Sequence, residues 1–155
     1  MDINKRRGEE SMRELIAKRA AKELTPYSII NLGIGIPTLV ANYIDDELHI
    51  LHTENGMLGV TSVEEENIDP LVVNASKMPV EEALGASYFS SADSFAMIRG
   101  GHIDVAILGA LQIDSTGRIA NWAIPGKDII GVVGAMDLLE GAKEIIITTS
   151  HVSAD

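Results

Sequence analysis

Cysteine is absent from this chain of 155 residues, which excludes disulfides, thiolate nucleophiles and cysteine-bound metals. That absence fits a cytoplasmic protein. Aromatic residues are scarce, at 4%. No run of about eighteen apolar residues occurs, so no membrane-spanning helix is expected. Positive charge is in short supply: 12 Lys and Arg stand against 23 Asp and Glu, for a net charge of −11. Such a balance speaks for solubility and against a nucleic-acid partner. Lys5, Arg6 and Arg7 have no apolar stretch behind them, so a signal peptide is not expected. The four histidines, His49, His52, His102 and His151, form no pair at metal-ligand spacing, and no metal site is expected. Ser90, Ser91 and Ser94 lack the Gly-x-Ser-x-Gly context of a serine hydrolase.

What is present suits one globular domain over residues 1–155. The length allows a single core, and 46% hydrophobic with 23% charged residues is an ordinary globular balance. Fourteen glycines supply the tight strand-to-helix turns of an α/β protein. Met12, Leu15, Ile16, Ala20 and Leu24 follow helical spacing over residues 11–24, with Ser11 and Glu14 at capping-box spacing and Thr25-Pro26 as the stop. Residues 28–32 read as a strand, and Pro37 opens a short helix through Tyr43. Residues 48–53 form a second strand and 71–74 a short candidate strand. A helix over 94–99 ends at Gly100-Gly101, and the apolar run 103–108 reads as a strand buried on both faces. The turn signal 114–117 makes a hairpin of 111–113 and 118–122. Gly134 opens a helix, and residues 144–149 form a closing strand. This alternation predicts a three-layer α/β architecture with a mostly parallel sheet.

One carboxylate stands out. Glu54 ends the second strand, and Asn55-Gly56 turns the chain directly after it. Open α/β sheets place ligands at such strand ends, although a solvated turn glutamate has the same local sequence. His52, two residues earlier, falls on the same strand face. Gly33 and Gly35 follow the first strand and precede a helix, where backbone amides can approach a phosphate or thioester. The dinucleotide fingerprint is not met, because Thr38 replaces its third glycine. Lys77 and Lys127 are local cations able to meet a phosphate or carboxylate; both also read as solvated surface lysines. Glu64, Glu65 and Glu66 read as an acidic surface loop.

Residues 51–59, LHTENGMLG, closely resemble the active-site signature of the B (β) subunit of family I coenzyme A transferases, the 3-oxoacid, acetate and butyrate–acetoacetate types. Further blocks typical of that polypeptide follow in the same order. They are 31–38 (NLGIGIPT), 90–110 (SSADSFAMIRGGHIDVAILGA), 120–122 (ANW) leading to 124–127 (IPGK), and 134–138 (GAMDL). The resemblance implies a coenzyme A transferase-type fold. It also implies transfer of coenzyme A between a succinyl-, acetyl- or acetoacetyl-thioester and a small carboxylic acid, in ketone-body or short-chain fatty-acid metabolism. Glu54 would be the nucleophile and form a glutamyl thioester. Gly134 would offer its amide to the thioester oxygen, and Gly33 and Gly35 would line the coenzyme A site. Asn121 would hydrogen-bond the pantetheine arm, or else cap its turn. Coenzyme A enters as a substrate, with no permanent cofactor, and an A subunit completes a hetero-oligomeric site.

Three departures accompany the match. Thr53 stands where serine is usual, Met57 where a branched aliphatic or phenylalanine is usual, and Val133 where the first of two glycines is usual. The family's β subunits also continue beyond a strand matching 144–149. The expectation is a chain lacking the usual C-terminal segment, with an open strand edge there that favours self-association, and a non-catalytic remnant is the rival reading. Fold relatives acting on sugar phosphates do not share the run around Glu54.

Overall fold

The computed structural model describes residues 3–123, 126 and 134–150, with side chains from Met12 onward. Helix α1 (Ile3–Ala21) leads into strand β1 (Ile29–Leu32), and a 3₁₀ helix, Pro37–Tyr43, leads on to β2 (Ile50–Thr53). Strands β3 (Met57–Thr61) and β4 (Glu81–Tyr88) precede helix α2 (Ser91–Arg99) and strand β5 (Val105–Gly109). A small hairpin of β6 (Gln112–Ile113) and β7 (Ile119–Ala120) comes next, then helix α3 (Ala135–Gly141) and strand β8 (Glu144–Thr148). The six-stranded sheet has the order β4-β3-β2-β1-β5-β8. Strands β2, β1, β5 and β8 run parallel, while β3 and β4 extend the sheet antiparallel beyond β2.

Alternation along the central strands builds two cores, one on each face. Ile30, Leu51, Val105 and Ile107 pack with Ala17 and Ala20 of α1 and with Val40 of the 3₁₀ helix. Ala106 and Leu108 point the other way, packing with Ile98 of α2 and Leu138 of α3. Strand β5 is therefore buried on both faces, as its unbroken apolar run predicts. The result is the expected three-layer, mostly parallel α/β arrangement. Helices α2 and α3 are further joined by the 2.6 Å ion pair between Arg99 and Asp137.

Several elements differ from the sequence reading. Helix α1 starts at Ile3, so Ser11 lies inside it and its spacing from Glu14 marks no helix start. Helix α2 starts at Ser91 because Ser90 caps it: its hydroxyl accepts from the Asp93 amide at 3.1 Å and donates to the Asp93 carboxylate at 2.7 Å. Residues 71–74 supply only an isolated bridge, Val73 to Pro79, rather than a strand. Strands β3 and β4 have no counterpart in the reading. β4 contains Glu, Ala, Leu and Gly85 (φ 88°) and is mostly exposed, so it carries no period-two apolar signal. Pairing with β3 makes it a strand.

Candidate functional site

Glu54 follows the last residue of β2, at the carboxyl edge of the parallel part of the sheet. Its turn is held on two sides. The Gly56 amide donates to Thr53 O at 3.0 Å, and the Phe89 amide donates to Gly56 O at 3.0 Å. Asn55 Nδ2 donates to Val73 O at 2.8 Å, which ties the turn to the loop carrying Asn74 to Lys77. Gly56 has φ 121°, and a Cβ there would stand 2.2 Å from Phe89 O. Only glycine permits both the dihedral and the approach.

A cavity of about 250 Å³ opens beside Glu54. Its walls include Asn31, His52 and Thr53 from the sheet, and Ser76, Met78 and Val80 from the loop that Asn55 anchors. Two polar atoms in this wall, Asn31 Oδ1 and Thr53 Oγ1, are buried and lack a hydrogen-bond partner among the described residues. A buried unpaired polar atom costs about 1–3 kcal/mol, and such costs are concentrated where a ligand will pair the group. Asn31 Nδ2 lies 3.5 Å from Glu54 Oε2. Burial raises the pKa of Glu54 above its ordinary value, and the Asn31 contact pulls it partly back. His52, 2% exposed, is pushed the other way by burial, down to about 4, and is therefore neutral at physiological pH. Both of its ring nitrogens have partners: Asn31 Nδ2 at 3.0 Å from Nδ1, and Ser94 Oγ at 3.0 Å from Nε2.

Gly134 adjoins Glu54 directly. A Cβ on Gly134 would stand 3.0 Å from Glu54 Oε1 and 3.2 Å from its Cδ. Gly134 is the N-cap of α3 with φ −73°, a conformation open to any residue, so the close carboxylate is what makes a side chain there unwelcome. The other expected site residues are placed less directly. Gly33 directly follows β1 but already donates its amide to Ile107 O at 2.8 Å, and its carbonyl accepts from Thr38 Oγ1 at 3.0 Å. Gly35 has φ 96° and open space around its Cβ position, apart from Arg13 at 4.0 Å. Asn121 clamps the base of the small hairpin, donating to Gly109 O at 2.7 Å and accepting from the Leu111 amide at 2.8 Å. Lys77 is exposed, with φ 62°, on the loop whose neighbouring residues wall the cavity. Lys127 and Val133 lie outside the described residues.

Asn31 and Ser94 are the residues that sequence reasoning missed. Asn31 read as one polar letter inside an apolar strand, and that interruption was the available signal. Among the described residues, no group of three or more His, Asp and Glu side chains gathers where it could hold a metal ion.

The coenzyme A transferase family profile matches residues 13–155. The chain is 52% identical over 141 residues to the β-type polypeptide of the Helicobacter pylori succinyl-CoA:3-ketoacid coenzyme A transferase, covering 90% of this chain and 68% of that one. It is 48% identical over 144 residues to the β polypeptide of the Escherichia coli K12 acetate CoA-transferase, covering 92% and 66%. The chain thus spans about two thirds of the length of these bacterial relatives. Among solved structures, the acyl-CoA transferase apoenzyme of Escherichia coli O157:H7 superposes with a TM-score of 0.70 at 22% identity, over 89% of this chain and 24% of that one. At that identity the likeness speaks for the fold, and the same fold is shared with the decarboxylase AibA/AibB at a TM-score of 0.58 and 19% identity. With the family profile matching nearly the whole chain and β-type relatives about half identical to it, the chain belongs to the coenzyme A transferase family, as a β-type subunit.

Proposed function

We propose that this chain supplies Glu54 as the nucleophile of a short-chain coenzyme A transferase and works with an A subunit. The observation that carries the reading is the placement of Glu54, between Asn31 Nδ2 and the space kept open by Gly134, at the edge of a small cavity. A carboxylate Oε attacks the thioester carbonyl of an acyl-coenzyme A. The carbon–sulfur bond breaks, leaving an acyl-glutamyl anhydride and the coenzyme A thiolate. The thiolate attacks Glu54 Cδ, the anhydride C–O bond breaks, and the first acid departs as its carboxylate. A second carboxylate reverses these steps on the glutamyl thioester. Splitting one transfer into two pairs of substitutions, one pair for each acid, avoids hydrolysis of the thioester.

Burial suits this chemistry in two ways. It weakens solvation of the attacking carboxylate, and it keeps water away from the anhydride. Gly134 leaves room for the tetrahedral carbon and can direct its backbone amide at the developing oxyanion. The cavity, at about 250 Å³, suits an acyl group or acid of a few carbons. The relatives named for succinyl-CoA, 3-ketoacids and acetate point to the same size class. Coenzyme A itself is assigned to the sheet edge where Gly33, Gly35 and the hairpin held by Asn121 follow the ends of β1 and β5. Lys77, exposed on the loop beside the cavity, is the cation we assign to offset the charge of that molecule.

The test is transfer itself. The chain assembled with an A subunit should exchange coenzyme A between acetyl- or succinyl-coenzyme A and acetoacetate. Glu54→Gln should reduce that exchange by about a thousandfold or more, the scale of losing a covalent route. A Glu54→Gln complex that retains normal turnover would overturn the proposal.

A further inference from the structure

We infer that Ser94 and His52 are positioning residues that hold the Asn31 amide toward Glu54; the inference rests on the reading of Glu54 as nucleophile. Asn31 on β1 and His52 on β2 are register partners in adjacent parallel strands. Ser94 lies in the first turn of α2, across the sheet face, where its amide donates to Ser90 O at 3.0 Å. All three are buried, at 1%, 2% and 0% exposure, and the Phe89 ring stacks on His52 with 6.1 Å between centroids.

The hydrogen-bond roles in this row are determined by elimination. Asn31 Nδ2 faces three acceptors: His52 Nδ1 at 3.0 Å, His52 O at 3.3 Å and Glu54 Oε2 at 3.5 Å. A backbone carbonyl and a carboxylate only accept, so the NH₂ end of the amide belongs there. An NH₂ group only donates, so His52 Nδ1 must accept. A neutral imidazole then carries its proton on Nε2, which donates to Ser94 Oγ at 3.0 Å. The Ser94 hydroxyl passes its own proton on toward Thr53 O, 3.5 Å away. Every donor in the row thus points the same way, from Asn31 to the backbone of β2, an arrangement in which each bond polarises the next.

The row has a consequence for the nucleophile. Rotating the Asn31 amide by half a turn would aim Oδ1 at the Glu54 carboxylate and at His52 O, acceptor against acceptor. His52 Nδ1 opposes that rotation only while it is the unprotonated nitrogen, and Ser94, with its own proton directed at Thr53 O, offers Nε2–H the acceptor that this tautomer needs. Ser94 and His52 touch no reacting atom. Their effect reaches Glu54 through one amide.

Two measurements test the relay. Long-range ¹H–¹⁵N spectra of the wild-type chain should show His52 as the Nε2–H tautomer; an Nδ1–H tautomer overturns the inference irrespective of activity. Single-turnover formation of the glutamyl thioester is then followed with the A subunit present. His52→Leu should slow it about tenfold or more at saturating acyl-coenzyme A, the scale of losing a hydrogen bond to a charged group, with half-saturation unchanged. His52→Asn, whose amide oxygen can stand where Nδ1 stood, should recover most of that rate. Leu and Asn variants of equal rate overturn the relay. If His52→Leu does not fold, Ser94→Ala serves, with an expected slowing of a few fold, and a wild-type rate in that variant overturns the relay. A wild-type complex that forms no thioester overturns the reading of Glu54 and the relay with it. A wild-type thioester whose rate ignores both residues overturns the relay alone.

Discussion

Two ionisable groups at the site sit two residues apart, and burial moves them in opposite directions. Neutral His52 is favoured in the folded chain, with its pKa lowered from 6.5 to about 4, while an unfolded histidine protonates near 6.5. Protons therefore favour the unfolded chain as pH falls from 6.5 to about 4. The stability lost across that window reaches about 3 kcal/mol and then levels off. Glu54 has its folded pKa raised, so its contribution falls as pH rises above the ordinary carboxylate range. Thermal unfolding from pH 4 to pH 8 separates the two. His52→Asn should flatten the acid side of the wild-type profile. Glu54→Gln should unfold above wild type at neutral pH, with the gap closing at pH 4. A His52→Asn profile as steep as wild type would contradict the buried neutral histidine. At this scale the sequence made Glu54 a candidate, less through the Asn-Gly turn after it than through the resemblance carried by residues 51–59. It did not show the Asn31–His52–Ser94 row, since residues 21 and 42 positions apart along the chain meet only after β1, β2 and α2 pack.

At the scale of elements, two glycines separate backbone need from site need. Gly56 has φ 121° and its missing Cβ would fall 2.2 Å from a carbonyl oxygen, so Gly56→Ala must move the turn or the start of α2. That substitution should cost about 3 kcal/mol or more and displace Glu54. Gly134 has an ordinary φ of −73°, and its missing Cβ would meet the Glu54 carboxylate at 3.0 Å. Gly134→Ala should leave stability within about 1 kcal/mol of wild type and still reduce transfer by about a hundredfold, the scale of a nucleophile misplaced by 1 Å. Denaturant unfolding beside turnover checks both, and equal stability losses in the two variants would contradict the distinction. The parallel strands were legible as apolar runs bounded by turn residues. Strands β3 and β4 were not: β4 is mostly exposed and lacks an apolar alternation, while in β3 the register shift between Leu58 and Val60 breaks the period of two.

For the whole molecule, topology explains why distant motifs reach one edge of the sheet. Strands β2, β1 and β5 run parallel, so the loops after Thr53, Leu32 and Gly109 emerge at the same edge of the sheet. Glu54, Gly33 and the hairpin clamped by Asn121 are thereby brought to one side, and the entry to α3 adds Gly134. The ordered motif blocks of the sequence make this clustering readable in advance. The engagement of the Gly33 amide and of both ends of Asn121 in the fold's own hydrogen bonds is not readable, since it depends on register. The central claim is that Glu54 becomes the carrier of coenzyme A. Its most direct test is to mix the chain and an A subunit with acyl-coenzyme A, reduce with borohydride, and map the peptides by mass spectrometry. The account predicts that Glu54, and no other carboxylate, is converted to the alcohol expected from a reduced thioester, and that Glu54→Gln shows no such conversion. Reduction at another residue, or an unmodified Glu54 in a complex that is turning over, would contradict it.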